Sequence, residues 1–111
     1  MNPEDDRELI VSQVVPDTPL VATVDEFVEF VFPEDAPRNG HSGLPLGLRL
    51  GVEKFKLGHG RKYYRLIWIG RGEACLAAED EERHGTKGKA VEAGRVLAAS
   101  FGVEFDEHTR R

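Results

Sequence analysis

The chain is poor in the residues that staple or anchor a small protein. One cysteine, Cys75, occurs in 111 residues, so no intramolecular disulfide can form and a reducing compartment is the simpler setting. A lone thiol flanked by Ala74 and Leu76 reads as a small hydrophobe on a strand rather than a nucleophile. No apolar run approaches the length needed to cross a bilayer, and Met1 to Asp6 has neither the basic start nor the apolar stretch of a secretory signal, so a cytoplasmic protein without membrane partners is expected. Histidines are few and scattered: His41, His59, His84 and His108 form no pair at ligand spacing on one recognisable element. Neither a metal nor any other cofactor is expected. No nucleophile–base set stands out either: Gly40-His41-Ser42-Gly43-Leu44 lacks the closing glycine of a nucleophile elbow and lies in a proline-bounded loop. The sequence therefore reads as that of a non-enzyme.

What the chain does have is charge sorted by position. Residues 1–35 hold ten acids against Arg7, a local net of -9 within an overall net of -5. Residues 36–71 reverse this to +7: Arg38, Arg49, Lys54, Lys56, Arg61, Lys62, Arg65 and Arg71 face only Glu53. The remainder returns to -3. Such a chain either neutralises its basic middle internally or offers it to an anionic partner.

The length fits one α+β domain over 1–111, able to bury most of its apolar surface without staples. Residues 8–15, rich in β-branched side chains and closed by Pro16, predict a strand. Thr23-Val24-Asp25-Glu26 is a capping box, and Val24, Phe27, Val28 and Val31 follow at helical spacing, predicting a short helix over about 24–32. Alternation of Val28, Phe30 and Phe32 allows a strand there instead. Pro33 to Pro45 is a long, breaker-rich loop.

From about 46 to 79 the period is two, predicting a three-stranded antiparallel meander with turns at Gly58-His59-Gly60 and Gly70-Arg71-Gly72. A bulge near Gly51 would reconcile Leu46, Leu48, Leu50 and Val52 with the shifted phase of Phe55. Thr86 caps a second helix over about 87–101, whose sheet-facing stripe begins with Ala90, Ala93 and Gly94. Gly102 is placed to end it in a left-handed conformation, ahead of a short edge strand at Val103–Phe105.

The meander supplies the candidate binding residues: Arg49, Lys54, Lys56, Arg61, Lys62, Tyr63, Arg65 and Arg71, with cations suited to phosphates and rings suited to unpaired bases. Ile67 and Ile69 join them. If Tyr64, Leu66 and Trp68 face the core, these isoleucines face the other side, where the first helix or first strand covers them or a partner does. The leading expectation is a protein-interaction module, an accessory subunit or small inhibitor docking on another protein through charge-segregated surfaces and a sheet face, with a homo-oligomer open. The alternative is a nucleic-acid-binding domain using the basic meander. A third reading makes the acidic N-terminal part a nucleic-acid mimic of the kind phage inhibitors use.

The order helix, three strands, helix over 23–101 resembles that of a double-stranded-RNA-binding domain, and Thr86-Lys87-Gly88-Lys89-Ala90 with Ala93 is similar to that family's helix-opening Ser-Lys-Lys-x-Ala-Lys motif. Gly88 and Val91 stand where the family places lysines, so the resemblance implies a phosphate contact for Lys87 alone.

Overall fold

A computed structural model describes residues 21–56 and 60–107. The elements run β1 (Val21–Ala22), α1 (Val24–Val31), β2 (Arg49–Lys56), β3 (Lys62–Gly70), β4 (Glu73–Ala77), α2 (Lys87–Phe101) and β5 (Glu104–Asp106). They form one five-stranded sheet in the order β1-β4-β3-β2-β5, with both helices on the same face. The strand expected at 8–15 lies outside the described residues.

The antiparallel meander is as the sequence predicts, but the complete sheet is mixed. β1 joins β4 in parallel, and β5 joins β2 in parallel. The edge strand expected at Val103–Phe105 is present as β5, but at two or three residues neither added strand carries a periodic signal that could give its partner. The expected bulge at Gly51 is absent. β2 and β3 pair without interruption from Arg49↔Ile69 to Lys56↔Lys62. Leu46 belongs to the turn before β2 and is exposed, whereas Phe55 leaves the core phase to stack on Tyr63 across the strand pair, ring centroids 5.5 Å apart. Two separate facts had mimicked one shifted strand.

Local chemistry explains the helices. The Thr23 hydroxyl accepts from the Glu26 amide while the Glu26 carboxylate accepts from the Thr23 amide, and Val24, Phe27 and Val28 turn inward. Three inward residues at that spacing outweigh the strand alternation, since Phe30 points to solvent. Thr86 caps α2 through the Lys89 amide. Gly102, at φ 69° and ψ 34°, closes it by donating its amide to the carbonyls of Ala98 and Ala99. The 33–45 loop is held by its own backbone: Asn39 donates to Leu44 and Gly43 to Asn39, with an isolated bridge between Arg38 and Pro45. At the β3–β4 hairpin both central residues, Arg71 and Gly72, have positive φ, the two-residue turn that matches strand twist.

Register sorts the side chains into two layers. Leu50, Val52, Leu66, Trp68, Cys75 and Ala77 face the helices and pack with Phe27, Phe32, Ala90 and Ala98. Phe32 lies against Gly70, where a Cβ would stand 2.5 Å from its ring. On the opposite face Ile67, Ile69 and Ala74 form a second, smaller buried cluster with Leu76 against it.

Burial settles the role of Cys75. Desolvation, reinforced by the nearby Glu79 charge, pushes its thiol from 9.0 up to about 12. The native state therefore keeps its proton above pH 9 while the unfolded thiol ionises. Stability is full below that pH and falls as pH rises from 9 toward 12, by about 1.4 kcal/mol per pH unit for this group. Denaturant melts of wild type and Cys75→Ala should diverge in this direction above pH 9, and the native thiol should resist alkylating reagents at neutral pH.

Candidate functional site

The residues singled out in the sequence do not form one patch, because register divides them. Lys54, Lys56 and Lys62 share the helix-bearing side, where Lys54 faces Tyr64 and Lys56 faces Lys62. Arg49, Tyr63, Arg65, Ile67 and Ile69 lie on the other side, and Arg71 is in the β3–β4 turn. Arg61 precedes β3 beside Lys62 and is exposed with it.

Most of the second set is already engaged. Arg49 pairs with Asp106 at 2.6 Å. Tyr63 has Phe55 of β2 stacked on it and the Arg83 guanidinium 4.9 Å from its ring centre. A ring so occupied is a poor platform for a nucleobase. Arg65 donates to the Asp80 carbonyl at 3.3 Å, and its Nε is buried without a hydrogen-bond partner. Ile67 is 2 % exposed and Ile69 0 %, so neither presents apolar surface to a partner. α1 is not their cover, since it packs with α2 on the far face.

The cations of the first set instead converge at one end of the molecule. Lys54, Lys56, Arg61 and Lys62 are exposed on the β2–β3 hairpin. α2 begins at that same end, because His84, three residues before Lys87, bridges to Tyr64. Its first turn carries Lys87 and Lys89 and no acid. Like charges opposed across a strand pair, and cations at a helix N-terminus, each cost a few tenths of a kcal/mol unless an anion offsets them.

The sequence reading missed what stands beside that end. The acid cluster Glu79 to Glu82, which by sequence reads most simply as a solvated loop, folds back on the structure together with the residues up to Thr86. Glu79 Oε1 accepts from the indole Nε1 of fully buried Trp68 at 2.9 Å, and its Oε2 accepts from the Val24 amide at 2.7 Å. One carboxylate thus ties the central strand to the N-terminus of α1. His84 is buried, exchanging backbone hydrogen bonds with Tyr64 and placing Nε2 2.8 Å from Asp80 and Nδ1 3.2 Å from Glu82. The alternation Asp80-x-Glu82-x-His84 was visible in the sequence, but four extended residues span about 13 Å, so it is the curvature of the loop that brings the three side chains together.

Two consequences follow for chemistry. A neutral imidazole has one N–H, so only the doubly protonated ring donates to both carboxylates. Each ring nitrogen of His84 already has a carboxylate within hydrogen-bond distance. Asp80, Glu82 and His84 are also the one set among the described residues with metal-ligand atoms gathered, within 4.8 Å of one another. The acids meet different nitrogens of the ring, whereas a cation takes one nitrogen, so one carboxylate would have to leave its place.

Between this loop and α2 opens a groove of about 630 Å³. Glu79, Asp80, Glu82 and Glu92 line it with the cation Lys89, and Ala93, Val96 and Leu97 are its apolar part. Val96 is 69 % exposed, among the most exposed large apolar side chains described.

No family model, curated protein or solved structure matches the chain. The likeness of element order to double-stranded-RNA-binding domains therefore finds no support in these comparisons. On α1 the exposed positions include Asp25, Glu26, Glu29 and Phe30, and none is cationic.

Proposed function

We propose that the chain is a non-enzymatic protein-interaction module that docks through the acid-lined groove between the 78–86 loop and α2. The observation that carries this reading is the pairing of four carboxylates with an exposed apolar strip in one concave site. Carboxylates at a rim steer and select a basic partner, while an apolar contact such as Val96 supplies the binding energy. Val96→Asp should weaken capture of a defined polypeptide at least about tenfold, and Glu92→Lys should slow its association, with thermal stability unchanged in both. If both variants retain the same polypeptide as wild type, the groove is not the docking site.

A second reading has its own support in the cationic end formed by Lys54, Lys56, Arg61, Lys62, Lys87 and Lys89. Phosphates would relieve the charge crowding there. Neutralising Lys54, Lys56 and Lys62 together should lower any affinity for nucleic acid and flatten its salt dependence, by about 0.9 in log–log slope per lost duplex-DNA contact. Failure of the wild-type protein to bind single- or double-stranded DNA or RNA at about 50 mM salt, where electrostatic binding is strong, eliminates this reading.

A further inference from the structure

The acidic groove and the cationic hairpin end are neighbours. Tyr64 of β3 is bridged through its backbone to His84 of the groove loop, and on its other side Tyr64 pairs with Lys54. Lys54, Lys56 and Lys62 face the same side of the sheet as α2, which forms the other wall of the groove. Two adjacent patches of opposite charge on one side of a molecule are self-complementary under a two-fold axis: the basic patch of one copy meets the acidic patch of the other, and the reverse.

We infer that the occupant of the groove is a second copy of this chain, whose Lys54, Lys56, Arg61 and Lys62 enter between the 78–86 loop and α2 in a reciprocal, closed dimer. The inference rests on the reading of the groove as a docking site and names its partner. Charge argues for it at both ends. Four carboxylates line the groove, with Lys89 beside them, and four exposed cations crowd the hairpin, so in the dimer each patch faces an excess of the opposite charge. Reciprocity counts each contact twice, and pairing closes the assembly, so a dimer rather than a fibre results. Val96 loses its solvent exposure in the same step.

The test is light-scattering mass of the full chain against salt, followed by a charge exchange. Wild type should have twice the chain mass at about 50 mM salt and dissociate toward monomer near 1 M, where screening shortens to roughly 3 Å. Lys54→Glu with Lys56→Glu cancels the net charge of the hairpin and sets two carboxylates against the acidic groove, and Glu82→Lys with Glu92→Lys cancels that of the groove carboxylates and sets two lysines against the basic hairpin. Each double variant alone should be monomeric. An equimolar mixture should restore the dimer mass, because the exchanged positions of one variant then meet opposite charges on the other. Thermal melts check that each variant is folded, and should one fail to fold, the salt titration of wild type decides. A wild-type monomer at low salt, or a mixture that stays monomeric with both components folded, overturns the inference. If wild type is monomeric yet Val96→Asp still loses a heterologous polypeptide, self-association fails while the groove remains a docking site.

Discussion

Replacing Ile67 and Ile69 together by threonine is expected to destabilise the fold by about 4 kcal/mol or more, lowering the melting temperature by on the order of 15 °C. Both side chains are buried on the sheet face away from the helices. Threonine keeps the β-branch and thus the strand preference, so the loss comes from the interior. Each substitution replaces an ethyl group by a hydroxyl, removing one methylene, about 0.8 kcal/mol, and putting a buried hydroxyl in place of a methyl at about 1–3 kcal/mol. Thermal or urea melts check the value, with light-scattering mass alongside. An unchanged melting temperature combined with loss of a partner would instead make these isoleucines an interface.

Gly94→Leu is expected to cost about 3 kcal/mol, at the upper end for overpacking. The Phe105 ring of β5 lies on Gly94, so a Cβ there would collide with its Cε1 and Cζ and stand 3.0 Å from Leu66 Cδ2. The gain in helix propensity on replacing glycine, about 1 kcal/mol, is outweighed. Gly88 in the same helix provides the contrast. A Cβ there meets nothing within 4 Å, so Gly88→Ala should raise stability by up to about 1 kcal/mol. Urea midpoints for the two variants should move in opposite directions. If Gly94→Leu melts with wild type, α2 does not rest on the sheet through this face.

The same two helical glycines show how far the sequence reaches. The stripe Ala90, Ala93, Gly94, Leu97 and Phe101 identifies α2 and its inward face. That Phe105, rather than the sheet alone, fills the space above Gly94 depends on β5 joining β2 in parallel after α2, a pairing of residues more than fifty positions apart. Local periodicity carries no information on that partner. The capping box at Thr23, the N-cap at Thr86 and the left-handed Gly102 were legible for the opposite reason: each is set by contacts within a few residues, and the meander was legible through its period of two and its glycine turns.

The candidate site divides along the same line. Composition and order alone determined the basic middle of the chain, the lone inert cysteine and the α+β class. Only tertiary structure decided which cations act together, because a period of two sends Lys54 and Arg65 to opposite faces although both lie in the same basic run. Likewise, only the fold draws Glu79 to Trp68 and buries His84 between Asp80 and Glu82, turning a stretch that reads as solvated loop into one wall of a groove. Charge sequence fixes how much of each sign the chain carries; strand register and loop docking fix where each charge meets solvent, since those depend on partners distant in sequence.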